Sequence, residues 1–152
     1  RRCITVFNFY STKDQYGCFS NFSRHPFELD GKQWLTTEHY FQAQKFPGNE
    51  AYQEKIRLEN SPMVAARLGR SRAQPIRADW EQVKDELMKT ALLAKFTQNK
   101  DILAILLSTG DAQLVEHTKN DRYWGDGGDG SGKNKLGLLL MEVREELRQE
   151  PK

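Results

Sequence analysis

Thr36-Thr37-Glu38-His39-Tyr40-Phe41-Gln42-Ala43-Gln44-Lys45-Phe46-Pro47-Gly48 is the stretch from which the rest of the chain is best read. A threonine at either of the first two positions caps a helix, and Pro47-Gly48 stops it after about Phe46. Glu38, Gln42 and Lys45 follow one another at helical spacing and share a face. Tyr40, Phe41, Ala43 and Phe46 point in several other directions. A helix apolar on several sides is usually buried, so its polar stripe is expected to line a cavity. A carboxylate among aromatics, with Trp34 just upstream, is a group that its surroundings can tune for proton transfer. The competing reading is an ordinary solvated stripe carrying a charge pair, and spacing alone does not separate the two.

Upstream of this helix, Ile4 to Tyr10 reads as a strand rich in β-branched and aromatic residues. Phe22 to Leu29 and Gln33-Trp34 form a hairpin around Asp30-Gly31, a dipeptide suited to a type I′ turn, with Pro26 favouring an edge position. Downstream, Asn49 to Leu58 is a second helix. Ser61-Pro62 opens a third, from Met63 to Leu68, with Gly69 as its terminator. Asp79 to Phe96 carries apolar residues at helical spacing, Asp101 to Leu107 is a shorter helix, Leu114 to His117 a strand, and Leu136 to Leu147 a closing helix. There is no internal repeat, linker or second domain. The expectation is an α+β fold: a compact, mainly helical single domain over residues 1–152 with a small sheet.

Bulk properties agree. The chain has 152 residues, 38% hydrophobic and 29% charged, with a mean hydropathy of -0.77, as expected of one water-soluble domain. A formal net charge of +2 means that attraction for an anion must come from a few aimed Lys or Arg side chains. No run approaches the ~20 apolar residues of a membrane span, and no leader peptide is visible. Two cysteines, Cys3 and Cys18, do not make a disulfide framework. Unbridged thiols and a cytoplasmic setting are expected.

Chemistry elsewhere centres on the loop Trp124-Gly125-Asp126-Gly127-Gly128-Asp129-Gly130-Ser131-Gly132-Lys133-Asn134. Glycines let backbone N–H groups approach an anion, and Lys133 adds charge. Gly127 to Lys133 matches the start of a P-loop, but Asn134 stands where a Ser or Thr should hold magnesium. Asp126 and Asp129 match no calcium-loop spacing. A solvated surface loop is the plain alternative, against which Trp124 argues, since an indole needs something to pack on. His25, His39 and His117 lie too far apart in sequence for a zinc set, so no metal is expected. The basic cluster Arg67, Arg70, Arg72 and Arg77 is either a solvated face or a phosphate site. It also admits a nucleic-acid-binding module as a rival, which the low net charge weakens.

Taken in order, Asn8-Phe9-Tyr10, Phe19-Ser20-Asn21-Phe22, Trp34, Glu38 to Phe46, Ser61-Pro62-Met63, Trp124-Gly125 and Asn134 to Gly137 closely resemble the YbiA-like family of the NADAR superfamily, from about Phe7 to Arg144. The resemblance implies an N-glycosidase acting on ribosylamino-pyrimidinone 5′-phosphates of riboflavin biosynthesis, releasing ribose 5-phosphate as a form of metabolite damage control. Other members of the superfamily remove ADP-ribose from guanine, which is the near alternative; a non-catalytic nucleotide-binding module is a further one. The partner is thus a small phosphorylated riboside. There is no membrane partner, and nucleic acid enters only as an ADP-ribosylated substrate.

Breaking a C1′–N bond builds oxocarbenium character on the ribose, so a carboxylate near the anomeric carbon stabilises charge and aligns water. Glu38 is expected in that role, with Asp126 as its catalytic partner on chemical grounds. Lys45, Lys133 and Arg70 are candidates for the 5′-phosphate. Phe9, Tyr10, Trp34 and Trp124 are candidates to stack the heterocycle, and Asn8, Asn21, Gln42 and Asn134 to read its edge. Ser20, His39 and Gly125 complete the expected substrate-binding set. The scheme requires no metal or redox cofactor.

Overall fold

In the computed structural model, which describes residues 4–149, the order of elements is β1 Val6–Phe9, a short 3-10 turn at Gly17–Phe19, β2 Phe27–Leu29, β3 Lys32–Trp34, α1 Thr37–Ala43, α2 Glu50–Arg57, α3 Pro62–Arg70, α4 Trp80–Gln98, α5 Lys100–Ser108, β4 Gln113–Glu116 and α6 Lys135–Gln149. This is an α+β chain, mainly helical, with a small amount of sheet. Its residues cluster into two compact units, one running from Arg24 to Asn99, the other taking the described residues up to Ser23 and from Lys100 onward. Among the described residues no helix is long and apolar enough to cross a membrane. Cys3 lies outside the described residues, and Cys18 sits partly buried in the 3-10 turn.

The continuous unit is built on local signals. Thr36 caps α1 by accepting from the His39 amide, Asn49 caps α2 through Tyr52, and Ser61 caps α3 through Val64 with Pro62 behind it. β2 and β3 pair antiparallel, Phe27 opposite Trp34, across Asp30 and Gly31, both at positive φ (55° and 76°), as a type I′ turn requires. Phe22 to Pro26, expected in that hairpin, precedes it instead. Phe27, Trp34, Tyr40, Ala43, Phe46, Ile56, Ala65, Ala91 and Ala94 form the core. Each large side chain removed from water there contributes about 1.5–3 kcal/mol. Gly69 is not the terminator expected: α3 runs through it to Arg70. Its role is close approach, because a Cβ at 69 would fall on the Gln42 side-chain amide of α1.

The other unit joins distant segments. β1 and β4 pair parallel, Val6 opposite Gln113 and Phe9 opposite Glu116, and α6 packs against β4. Gly137 allows that packing, since a Cβ there would meet the Leu114 carbonyl oxygen. Phe9, Phe19, Ile102, Leu106, Leu114, Leu136, Leu140 and Val143 are buried. Arg144, also buried, donates from Nη1 to Thr109 Oγ1 and the Ala112 carbonyl, both at 2.9 Å.

The glycine-rich segment is not a floppy loop. Its main chain is stitched to the preceding turn by bonds from Gly127 to Asp121, Lys133 to Arg122, Asn134 to Gly125 and Leu136 to Trp124. Asn134 itself has a positive φ of 52°.

Candidate active site

The helix α1 is buried along its whole length, including Glu38, His39 and Gln42, so the solvated-stripe reading fails. Gln42 Nε2 donates to Glu38 Oε2 at 2.7 Å, fixing the carboxylate from the next turn of the same helix. Gln42 Oε1 is buried with no hydrogen-bond partner among the described residues. Gln42 therefore holds Glu38, a different task from the edge-reading first expected of it.

One turn further on, Lys45 is only 7% exposed, its Nζ 3.3 Å from the Gly69 carbonyl oxygen and 5.5 Å from the Trp80 ring centroid. Burial pulls its ammonium down to about 8; Glu38 opposes this, while the charges of Arg72, Arg70 and Lys84 add to it. Lys45 thus feels one carboxylate and three other cations. Arg70 and Arg72 are exposed, Arg77 is occupied by Asp79 at 2.6 Å, and Lys84 by Glu81 at 2.6 Å. Sequence reasoning had named Lys45 and Arg70 for phosphate. It missed Lys84 and Trp80, which come from the first turns of α4.

His39 and Trp34 are tied into the fold. His39 is wholly buried, with Nδ1 2.7 Å from Thr36 Oγ1 and Nε2 2.7 Å from the Glu59 carbonyl. Burial holds its pKa below the ordinary value, against the Glu59 carbonyl, so both nitrogens of a neutral ring are spent on fixing α1. Trp34 donates Nε1–H to the Leu29 carbonyl at 3.0 Å and meets Tyr40 edge-on in the core, so its ring is a packing element rather than a stacking platform.

In the other unit, Phe9 is likewise core, edge-on to Phe19 at 5.7 Å. Asn134 is a latch: Oδ1 accepts from the Glu116 amide and Nδ2 donates to the Leu114 carbonyl, each at 2.9 Å. Gly125 is a packing glycine, hemmed by Thr118, Asp121 and Glu116. Ser20 and Asn21 are buried, and Ser20 Oγ accepts from the Phe22 amide. Asn8 and Tyr10 are exposed, Tyr10 Oη accepting from Asn120 Nδ2. Trp124 stands edge-on to Tyr123, over which Lys133 Nζ lies at 5.4 Å.

Asp126 is 8% exposed. Oδ1 accepts from the amides of Thr118 (3.1 Å) and Gly128 (2.8 Å), and Oδ2 lies 2.8 Å from His117 Nδ1. Burial alone would raise its carboxyl, but the bonds from His117, Gly128 and Thr118 outweigh that and hold it below the usual carboxylate range. The sequence sets His117 aside only as too distant from His25 and His39 for a zinc set. Its only sequence signal was its place at the end of a strand. Among the described residues no three His, Cys, Asp or Glu side chains come together to hold a metal.

Glu38 and Gln42 on a buried helix, with Lys45 just past its end, form a buried polar group on an α+β chain. The NADAR domain family matches residues 8–148. The N-glycosidase YbiA of Escherichia coli (strain K12) is 61% identical over 143 residues, 94% of this chain and 89% of the relative. The solution structure of E. coli YbiA superposes with a TM-score of 0.88 at 57% identity, covering 97% of this chain and 90% of that one. A riboflavin biosynthesis protein of Vibrio vulnificus is 41% identical over 93% of this chain, which spans 38% of its length. The chain belongs to the NADAR family.

Proposed function

We propose that this N-glycosidase cleaves the C1′–N bond of ribosylamino-pyrimidinone 5′-phosphates, the early intermediates of riboflavin biosynthesis, releasing ribose 5-phosphate. The observation that carries this reading is the Glu38–Gln42–Lys45 face. One carboxylate is fixed there by Gln42, and Lys45, buried one turn on, feels its charge together with those of Arg70, Arg72 and Lys84. Glu38 aligns the attacking water and stabilises the oxocarbenium ion, taking a proton from the water as C1′ is attacked. Lys45 and Arg70, joined by Arg72, hold the dianionic 5′-phosphate.

The riboflavin name of the V. vulnificus relative supports the choice of substrate. Residues 1–152 act in this reading as one catalytic domain in the cytoplasm, with no metal or redox cofactor.

The test is a turnover assay with free ribose 5-phosphate as the readout and Glu38→Gln as control. Release from the pyrimidinone ribosides, reduced at least ~10²-fold in a folded Glu38→Gln variant, is expected. Near-wild-type turnover in the variant refutes the role of Glu38. Cleavage of ADP-ribosylated guanine in place of these substrates refutes the substrate.

A further inference from the structure

Lys45 carries its charge in an unfavourable place. It is nearly buried, and Arg70 at the end of α3, Arg72 beyond it and Lys84 on α4 all work against a further positive charge. Glu38 on α1 favours it. The ammonium has three protons to donate, and among the described residues it makes one hydrogen bond, to the Gly69 carbonyl at 3.3 Å. It also lies over the ring of Trp80, 5.5 Å from the centroid.

That ring is held in place from two sides. Phe41 of α1 packs on it at 4.9 Å between centroids, tilted by 57°. The chain leading into α4 is pinned to Lys45 itself: the Arg77 amide donates to the Lys45 carbonyl at 2.9 Å, and the Arg77 guanidinium, paired with Asp79, reaches the Gln44 carbonyl. Trp80 opens α4 just after this anchor and is 7% exposed. The main chain of Lys45 therefore fixes the position of the ring, and the ring faces the ammonium of the same residue. Burial of an indole asks only for apolar neighbours and does not require its face to meet a cation. An indole is the best of the aromatic faces for a cation, and the attraction grows as water is excluded.

We propose that Trp80 is the positioning residue for Lys45: its indole face holds the ammonium in place and charged for the 5′-phosphate of the substrate. This rests on the phosphate role given to Lys45 above. The Gly69 carbonyl fixes the ammonium in one direction and the ring in a second, so Lys45 meets the phosphate without first having to be ordered. Trp80 neither gives nor takes a proton.

The experiment places mono-, di- and trifluorinated tryptophans at position 80 of the intact chain. Fluorine draws electron density from the ring face at nearly constant size, so packing is kept while the attraction for a cation is drained. Two quantities are read. The carbon-13 resonance of Lys45 Cε, identified by its loss in Lys45→Met, should titrate at about 8 in wild type and about 0.7 pH unit lower with the trifluorinated ring. Less of the enzyme then carries the ammonium at pH 8, so KM for the pyrimidinone riboside 5′-phosphate should rise about 3-fold there. At pH 6, where Lys45 is protonated beside either ring, KM should not change, and kcat should hold at both.

A midpoint that ignores the fluorines would make Trp80 a packing residue and overturn the proposal. So would a KM raised equally at pH 6 and pH 8, which is the mark of a disturbed fold. A falling midpoint with KM unmoved, in the fluorinated proteins and in Lys45→Met alike, would overturn the phosphate role of Lys45 while the hold of Trp80 on its ammonium stands.

Discussion

Replacing Lys45 by Met should stabilise the protein at neutral pH while weakening its hold on substrate. The ammonium falls from an ordinary 10.5 to about 8. At ~1.4 kcal/mol per pH unit, that gap is about 3 kcal/mol of cost for keeping the side chain charged in the fold. Below pH 8 the folded and unfolded chains both carry the proton, and the full cost is present. Between 8 and 10.5 the unfolded chain still binds the proton and the folded one has shed it, so stability rises with pH. Met removes the whole dependence.

Against this stand the lost bond to the Gly69 carbonyl and the contact with Trp80, about 1 kcal/mol each at most. The variant should therefore be about 1–2 kcal/mol more stable than wild type at pH 7. By pH 10 wild type recovers about 2.5 kcal/mol, and the order reverses. Urea denaturation of both proteins at the two pH values measures this directly. A variant less stable by the same margin at both would refute the view that Lys45 is a strained cation awaiting an anion. An unchanged KM for the phosphorylated riboside would refute its phosphate role.

Gly69→Ala should cost about 1–3 kcal/mol and lower turnover, because its Cβ displaces Gln42 and so releases Glu38. The cost should shrink in a Gln42→Ala background, and purely additive effects in the double-mutant cycle would count against the contact. Asn134→Gly keeps the positive φ but leaves the Glu116 amide and Leu114 carbonyl unpaired, a loss of about 2 kcal/mol. Asn134→Ala should lose roughly 1 kcal/mol more, since it also strains the left-handed backbone. Chemical denaturation ranks the two, and the reverse order would argue against the latch.

What the sequence made legible follows the range of the forces involved. The cap at Ser61, the cap at Thr36 as one of two candidates, and the Asp30-Gly31 turn depend on residues within a few positions and were readable, while Asn49, read as the first residue of its helix, is its cap. The shared face of Glu38 and Gln42 followed from helical period alone, whereas the helix expected to reach Phe46 ends at Ala43, before Lys45. Gly69 was misread because a glycine that ends a helix and one that admits a neighbouring helix look alike until α1 is packed against α3. The parallel pairing of β1 with β4 joins segments more than a hundred residues apart, and no local pattern carries that register.

Polarity misled in the same way. Asn134, His39 and Trp34 have the groups to meet a ligand, but each spends them on the fold. The bond between His117 and Asp126 spans nine residues of irregular chain, where no period relates the two.

The stitching of the glycine-rich segment has a consequence for how this family can diversify. At Gly130 an added Cβ would meet nothing, and the bonds at the tip are local ones, of Ser131 with Asp129 and Arg122. From Gly132 to Gly137 each step is clamped, by Asp126, Gly125 and Leu114 in turn. Natural drift in length should therefore collect at the tip and stop short of its base. A library of tip sequences grafted at 129–131 should leave the bond between His117 and Asp126 in place.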